Sequence, residues 1–199
     1  MTFDASFPGR GSFTSDGQHS SNSDNTYTGS GFNRSFYTFD VSSLSGLNIT
    51  SVELRIGNEL AFDLPATVTI YDVSTSRNDL IATYLTNDPA GQAIYADLGS
   101  GNQYGSFIVS SNPSVTTTTL SGAAVHDLVN AIPSSYFTVG LSILKPNTAV
   151  RFDQNPRVQQ LIVTTNDGTV PEPASLAIFG VMGLAACGMR RRCRMLQTA

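Results

Sequence analysis

The chain has 199 residues, of which only 13% are charged, while 40% are hydrophobic and seven Tyr and eleven Phe are present. That balance argues for a folded chain and against disorder. All fifteen acidic residues precede Ala174 and four of the eleven basic ones follow it. The part before Ala174 is therefore acidic, which excludes a nucleic-acid partner, and its lack of cysteine excludes a disulfide framework.

Taken in order, residues 1–34 read as a loop-rich entry with short edge pairings. PGRGSFTSDGQHSSNSDNTYTGSGFNRS is dominated by turn formers, with Tyr27 and Phe32 as the first residues expected to reach a core. Met1 to Ala5 shows neither a basic nor an apolar leader region, so an export leader is expected upstream of Met1. Strand signals follow at Phe36–Asp40, Ser51–Ile56, Ala66–Val73, Leu80–Leu85, Tyr104–Val109, Val115–Leu120, Tyr136–Leu144, Ala149–Asp153 and Val158–Thr165. The alternation is clearest in Val52, Leu54 and Ile56 against Glu53 and Arg55. It recurs in Phe137, Val139, Leu141 and Ile143 against Thr138, Gly140 and Ser142.

A single short helix is predicted, capped by Ser121, with Ala124, Val125, Leu128, Val129 and Ile132 at helical spacing and Pro133 as its stop. Its polar face carries His126, Asp127 and Asn130. Nine short strands and one helix predict an all-β body, a β-sandwich or jelly roll, over residues 1–165.

The chain then changes character. Residues 166–173 (NDGTVPEP) form a linker, and Ala174 to Met189 runs without a charge. At ~1.5 Å per residue this run gives roughly 24 Å of helix, slightly short of a hydrocarbon core of about 30 Å. Pro173 and a snorkelling Arg190 offset part of that difference. A single C-terminal transmembrane helix is the expectation, followed by a basic tail, residues 190–199. Arg190, Arg191, Arg192 and Arg194 hold the tail on the cytoplasmic side. Cys187 lies in the run and Cys193 among the arginines, where a lipidation site beside the membrane is the alternative to an incidental residue.

The order of Pro171-Glu172-Pro173, the apolar run Ala174–Met189 and the arginine cluster resembles the PEP-CTERM sorting signal of envelope-forming bacteria. That resemblance implies exosortase, a membrane-embedded cysteine transpeptidase, as partner. It also implies transit through the inner membrane with the body on the exported side, and a final place at the cell surface or in an exopolysaccharide-rich biofilm matrix. A second resemblance lies in the body. Ser35 to Leu44 (SFYTFDVSSL) and Ile49 to Leu54 (ITSVEL) look like the opening of β-sandwich domains in exported bacterial proteins, and Ile94 to Ser106 is similar to a segment common in PEP-CTERM proteins. These imply fold and export, not an activity.

Chemistry is sparse in the body. His19 and His126 lack partners at metal-ligand spacing. Adjacent His126 and Asp127 are expected to point apart on a helix. Ser142-Ile143-Leu144-Lys145 fits SxxK by letters only, inside an alternating strand. Gly99 to Gly105 is read as a flexible inter-strand loop, since a phosphate loop requires a helix after it. Glu53 and Glu59 are the only glutamates of the body and mark no carboxylate pair. Asp16, Asp24, Asn25, Asp153 and Asn155 are loop oxygens of the kind calcium takes, without a calcium-loop motif, so no cofactor and no metal site is assigned. Tyr27, Tyr71, Tyr84, Tyr95 and Tyr104 are available to stack on sugars, with core or edge packing as the ordinary alternative. Two functions remain: a non-catalytic structural or interaction protein of the cell surface, or an exopolysaccharide-binding module. No enzyme is expected.

Overall fold

The computed structural model describes residues 1–5, 7–22, 26–152 and 158–166. The chain divides into a compact unit Met1–Asn166 and a second unit Asp167–Ala199. The sorting motif Pro171-Glu172-Pro173, the span Ala174–Met189 and the arginines 190–194 all lie outside the described residues, as do Asp24, Asn25, Asp153 and Asn155. Among the described residues, no helix is long and apolar enough to cross a membrane.

The first unit is mostly β. One antiparallel sheet has four strands in the order β1 (Thr2–Asp4), β12 (Gln159–Thr165), β5 (Ile49–Asn58), β9 (Ser114–Thr119). The alternation in β5 is realised: Val52, Leu54 and Ile56 are buried, and Arg55 is exposed. Opposite them, Leu161 and Val163 of β12 pair with Leu54 and Val52 and are equally buried.

The other sheet runs β6 (Leu60–Phe62), β11 (Ala149–Arg151), β3 (Tyr27–Gly29), β4 (Asn33–Asp40), β10 (Tyr136–Ser142), β7 (Ala66–Asp72), β8 (Gln103–Val109), with β2 (Arg10–Thr14) also paired to β4. Side chains of both sheets meet in one apolar cluster that includes Tyr37, Phe39, Leu54, Ile70, Phe107, Val139 and Leu161. A satellite cluster of Phe13, Phe36, Leu80, Ile94 and Leu98 lies on the other face of β4. Strand β4 is thus buried on both faces, which is why its Phe36-Tyr37-Thr38-Phe39 run does not alternate between apolar and polar.

Three α-helices occur among the described residues: α1 (Arg77–Leu80), α2 (Pro89–Asp97) and α3 (Gly122–Ala131). Helix α3 is the expected one, with Ala124 and Leu128 buried. Val129 is 46% exposed, because five residues at 100° each turn it away from Ala124. Ser121 occupies the N-cap position without a side-chain cap bond. Its backbone N–H instead donates to the Tyr104 carbonyl at 2.8 Å.

Several expectations are corrected. Leu80–Leu85 is not a strand. Ser76 caps α1 by accepting from the Asp79 N–H at 3.3 Å and donating to its carboxylate at 2.7 Å, which commits the chain to a helical turn through Leu80. Only Tyr84 pairs beyond it, as a lone bridge to His19. Helix α2 was not expected, yet Asp88 caps it from the side chain and Pro89 opens it.

The short pairings of the entry, residues 1–34, are β1, β2 and β3. Its small residues serve close packing. A Cβ on Gly11 would meet the His19 ring at 2.7 Å and Phe36 at 2.9 Å. Phe13, not Phe32, enters the core, Phe32 being 73% exposed.

Candidate ligand cleft and sorting tail

A cleft of about 550 Å³ opens where the segment after β7 meets the end of α3 and the start of β10. One wall is Val73 to Asn78. The other holds Tyr104, Asp127, Tyr136 and Phe137. The first wall is built by Asp97. It stands at the C-terminal end of α2, where the helix dipole disfavours a carboxylate. It is stabilised there by four hydrogen bonds, from the backbone N–H groups of Ser74 (3.0 Å) and Thr75 (2.8 Å) and from their hydroxyls (2.9 and 2.6 Å). This fixes the chain that delivers Arg77 into the cleft, with its guanidinium carbon 4.5 Å from the centre of the Tyr136 ring.

The second wall is tied to the core. Tyr104 is buried, stacks on Phe137 with centroids 5.9 Å apart, and donates to Asp127 Oδ2 at 2.8 Å. Burial first, and then the bond to Asp127, pushes its hydroxyl above the usual tyrosine value, so it stays a donor. Asp72 lies nearby. Burial raises its carboxyl above the usual range, the N–H of Asn102 opposes this, and the charges of Asp127 and Asp97 add to it.

The glycine-rich stretch is corrected here. It is not an inter-strand loop but the connection from α2 to β8. Gly101 has φ +84°, and a Cβ there would lie 2.1 Å from the Asp72 carboxylate, which instead accepts from the Asn102 N–H at 2.7 Å. The stretch follows a helix C-terminus beside acidic groups, the wrong end for an anion.

The other candidates are dispersed. His126 and Asp127 do meet, Nδ1 to Oδ1 at 3.2 Å, against the expectation that they point apart. The His126 side chain remains 75% exposed. His19 is buried, stacked on Phe13 with centroids 4.5 Å apart, and its Nδ1 lies 2.9 Å from the Ser12 carbonyl. Ser142 is buried, while Lys145 pairs with the Asp63 carboxylate at 2.9 Å, so SxxK is not a nucleophile with its base.

Glu53 accepts from Thr119, and Glu59 faces Arg151 at 3.5 Å. Asp16 accepts from the Thr14 hydroxyl. Among the described residues, no group of three or more His, Cys, Asp or Glu is placed to hold a metal ion. Of the five tyrosines singled out, Tyr104 lines the cleft. Tyr84 packs on Phe13, Tyr95 lies under the Arg34 guanidinium at 4.4 Å, and Tyr27 and Tyr71 are half-buried in strands. Sequence reasoning missed Tyr136, Arg77 and Asp97. The fold alone assembles them.

Comparison with known proteins bears on the other end of the chain. No curated protein matches it. Residues 169–192 match the PEP-CTERM protein-sorting motif. The chain therefore carries a C-terminal sorting signal for exosortase-dependent export to the cell envelope or surface.

Proposed function

We propose that this protein is a non-catalytic structural or interaction protein of the cell surface or extracellular matrix. Its exported β-sandwich body is delivered by the C-terminal signal, and its tail is removed by exosortase. The observation that carries this reading is the sorting-motif match over residues 169–192, which contains Pro171-Glu172-Pro173, the uncharged run Ala174–Met189 and the first three arginines. The run acts as a membrane span during transit, oriented by the arginines. The two sheets enclosing a common apolar cluster support the sandwich. Burial of His19 and the engagement of Lys145 by Asp63 favour a body without catalysis.

The test is mass spectrometry of the mature C-terminus in the native host, with and without its exosortase gene. Pro171→Ala with Glu172→Ala leaves the apolar run and the arginines intact but removes the extended, charged feature just outside the membrane. That variant should accumulate uncleaved and slightly larger than processed wild type. If wild-type protein retains Arg194 while exosortase is expressed, the tail is an anchor only.

A second reading is a carbohydrate-binding module for exopolysaccharide delivered by the same signal. The cleft that Arg77 and Tyr136 help to line favours it.

A further inference from the structure

The geometry points to the cleft between residues 73–78 and residues 131–138 as a binding site for a neutral, polyhydroxylated sugar ring; this rests on the carbohydrate-binding reading and gives it a place and a ligand chemistry. Its volume of about 550 Å³ falls within the usual range for small-molecule sites, about 300–1,000 Å³.

Charge selects against ionic ligands. The lining holds one cation, Arg77, and one carboxylate, Asp127. Arg77 is laid on the Tyr136 ring, and Asp127 already accepts from Tyr104. A polyanion would in addition meet Asp97 and Asp72 behind the wall; a cation would meet Arg77 and find the Asp97 and Asp127 carboxylates already engaged by Ser74, Thr75 and Tyr104.

Hydrogen-bond polarity then selects among neutral ligands. Four of the lining hydroxyls have their protons committed within the protein. Ser74 and Thr75 donate to Asp97, Ser76 donates to Asp79, and Ser134 donates to the Ala131 carbonyl at 2.8 Å. A hydroxyl whose proton is used offers a ligand only its lone pairs. These four positions therefore present acceptors, which favours a ligand that brings O–H donors. Arg77 and the exposed Asn78 supply N–H groups for the acceptor oxygens that every sugar also carries.

An apolar platform completes the set. Tyr136 is 38% exposed at the cleft; one face of its ring carries the Arg77 guanidinium, and the C–H groups of a pyranose pack on the ring surface left open beside it. Acceptors, a fork of donors and an aromatic surface in one cleft describe a saccharide better than an amine, a phosphate or an apolar molecule.

The experiment is isothermal titration calorimetry of the full chain in a zwitterionic, sugar-free detergent. The probes are maltotriose, cellotriose and chitotriose, with trigalacturonate as the charged counterpart. Cosedimentation with the exopolysaccharide of the native host runs in parallel. The expected result is saturable binding of at least one neutral trisaccharide or of the polymer. Tyr136→Ala and Asn78→Ala should each weaken it about tenfold, the loss of one anchoring contact. Tyr136→Phe keeps the ring and should bind like wild type. Asn78 is exposed, so its variant keeps the fold, which far-UV circular dichroism checks. Binding that survives both alanine substitutions overturns the cleft while leaving the carbohydrate-binding reading intact. Preference for trigalacturonate overturns the neutral ligand. Absence of binding to every probe and to the polymer overturns the cleft and the carbohydrate-binding reading together.

Discussion

The phenol of Tyr104 on β8 donates to the carboxylate of Asp127 on α3 across 2.8 Å, and the same tyrosine's carbonyl accepts the backbone N–H of Ser121, the residue before that helix. One residue of the sheet thus holds α3 at two points.

Tyr104→Phe keeps the stack on Phe137 and removes only the hydroxyl. It should cost about 1.5 kcal/mol, the low end for a bond to a charged group, because Asp127 is partly exposed. The sign with pH follows from the raised hydroxyl. The folded chain keeps a proton that the unfolded chain loses near pH ~10, so this stability is complete below about pH 10 and is lost above it. Chemical denaturation from pH 8 to 11 should show a fall in wild type that is shallower in the variant.

His19 gives the opposite slope. Burial holds its imidazole below the ordinary value, while the Ser12 carbonyl pulls the other way. As pH drops through about 6.5, the unfolded chain takes up a proton that the folded chain refuses, so stability declines toward pH 5. His19→Gln should flatten the decline between pH 7 and 5, at a constant cost from the lost stack on Phe13. Thermal melts at half-unit steps would read both effects, and an unchanged slope in the variant would assign the decline to other groups.

Two glycines separate backbone crowding from side-chain crowding. A Cβ on Gly140 would lie 2.5 Å from the Leu98 carbonyl oxygen, which is backbone, whereas one on Gly99 would lie 2.4 Å from the guanidinium of Arg34, which is flexible. Gly140→Ala should therefore cost about 3 kcal/mol and Gly99→Ala about 1 kcal/mol. The smaller loss reflects Arg34 leaving the Tyr95 and Ala96 carbonyls, 2.8 and 3.0 Å away, at the end of α2. Equal destabilisation of the two variants by urea would contradict this ordering.

In the tail, Gly183→Arg puts a charge at the middle of the proposed span, at a cost of about 2.5–3.5 kcal/mol on the insertion scale. Fractionation of the native host should show less of the chain reaching the membrane than for the Pro171→Ala, Glu172→Ala variant, whose uncharged run is intact.

What could be read from the sequence was local. The alternation of Val52, Leu54 and Ile56 and of Phe137, Val139 and Leu141 is a period-two signal, and those residues are buried. Helix α3 announced itself by Ala124 and Leu128 at helical spacing and by Pro133. The strand expected at Leu80–Leu85 failed because Ser76 caps a helical turn through Leu80, and beyond that turn the only ladder contact among the described residues is the lone bridge of Tyr84 to His19. Asp88-Pro89 was a readable helix start for α2 that a glycine-rich neighbourhood obscured. The cleft could not be read at all. Arg77, Tyr104, Asp127 and Tyr136 are far apart in the chain, and no spacing rule connects them. Only the pairing of β10 with β7, and of β7 with β8, brings them to one place.

The edge of the smaller sheet carries a mechanical consequence. Met1 and Val163 exchange hydrogen bonds, ammonium to carbonyl at 2.7 Å and N–H to carbonyl at 2.8 Å, so β1 begins beside the end of β12, close to where the chain leaves for its tail. A pull between Met1 and Thr165 therefore loads an antiparallel pair from its open end. Such a pair parts like a zipper, one rung at a time, and yields at low force, whereas strands dragged along their length must break all rungs together. Tension between these two ends would release the three residues of β1 first, leaving the long pairing of β12 with β5 to carry the body.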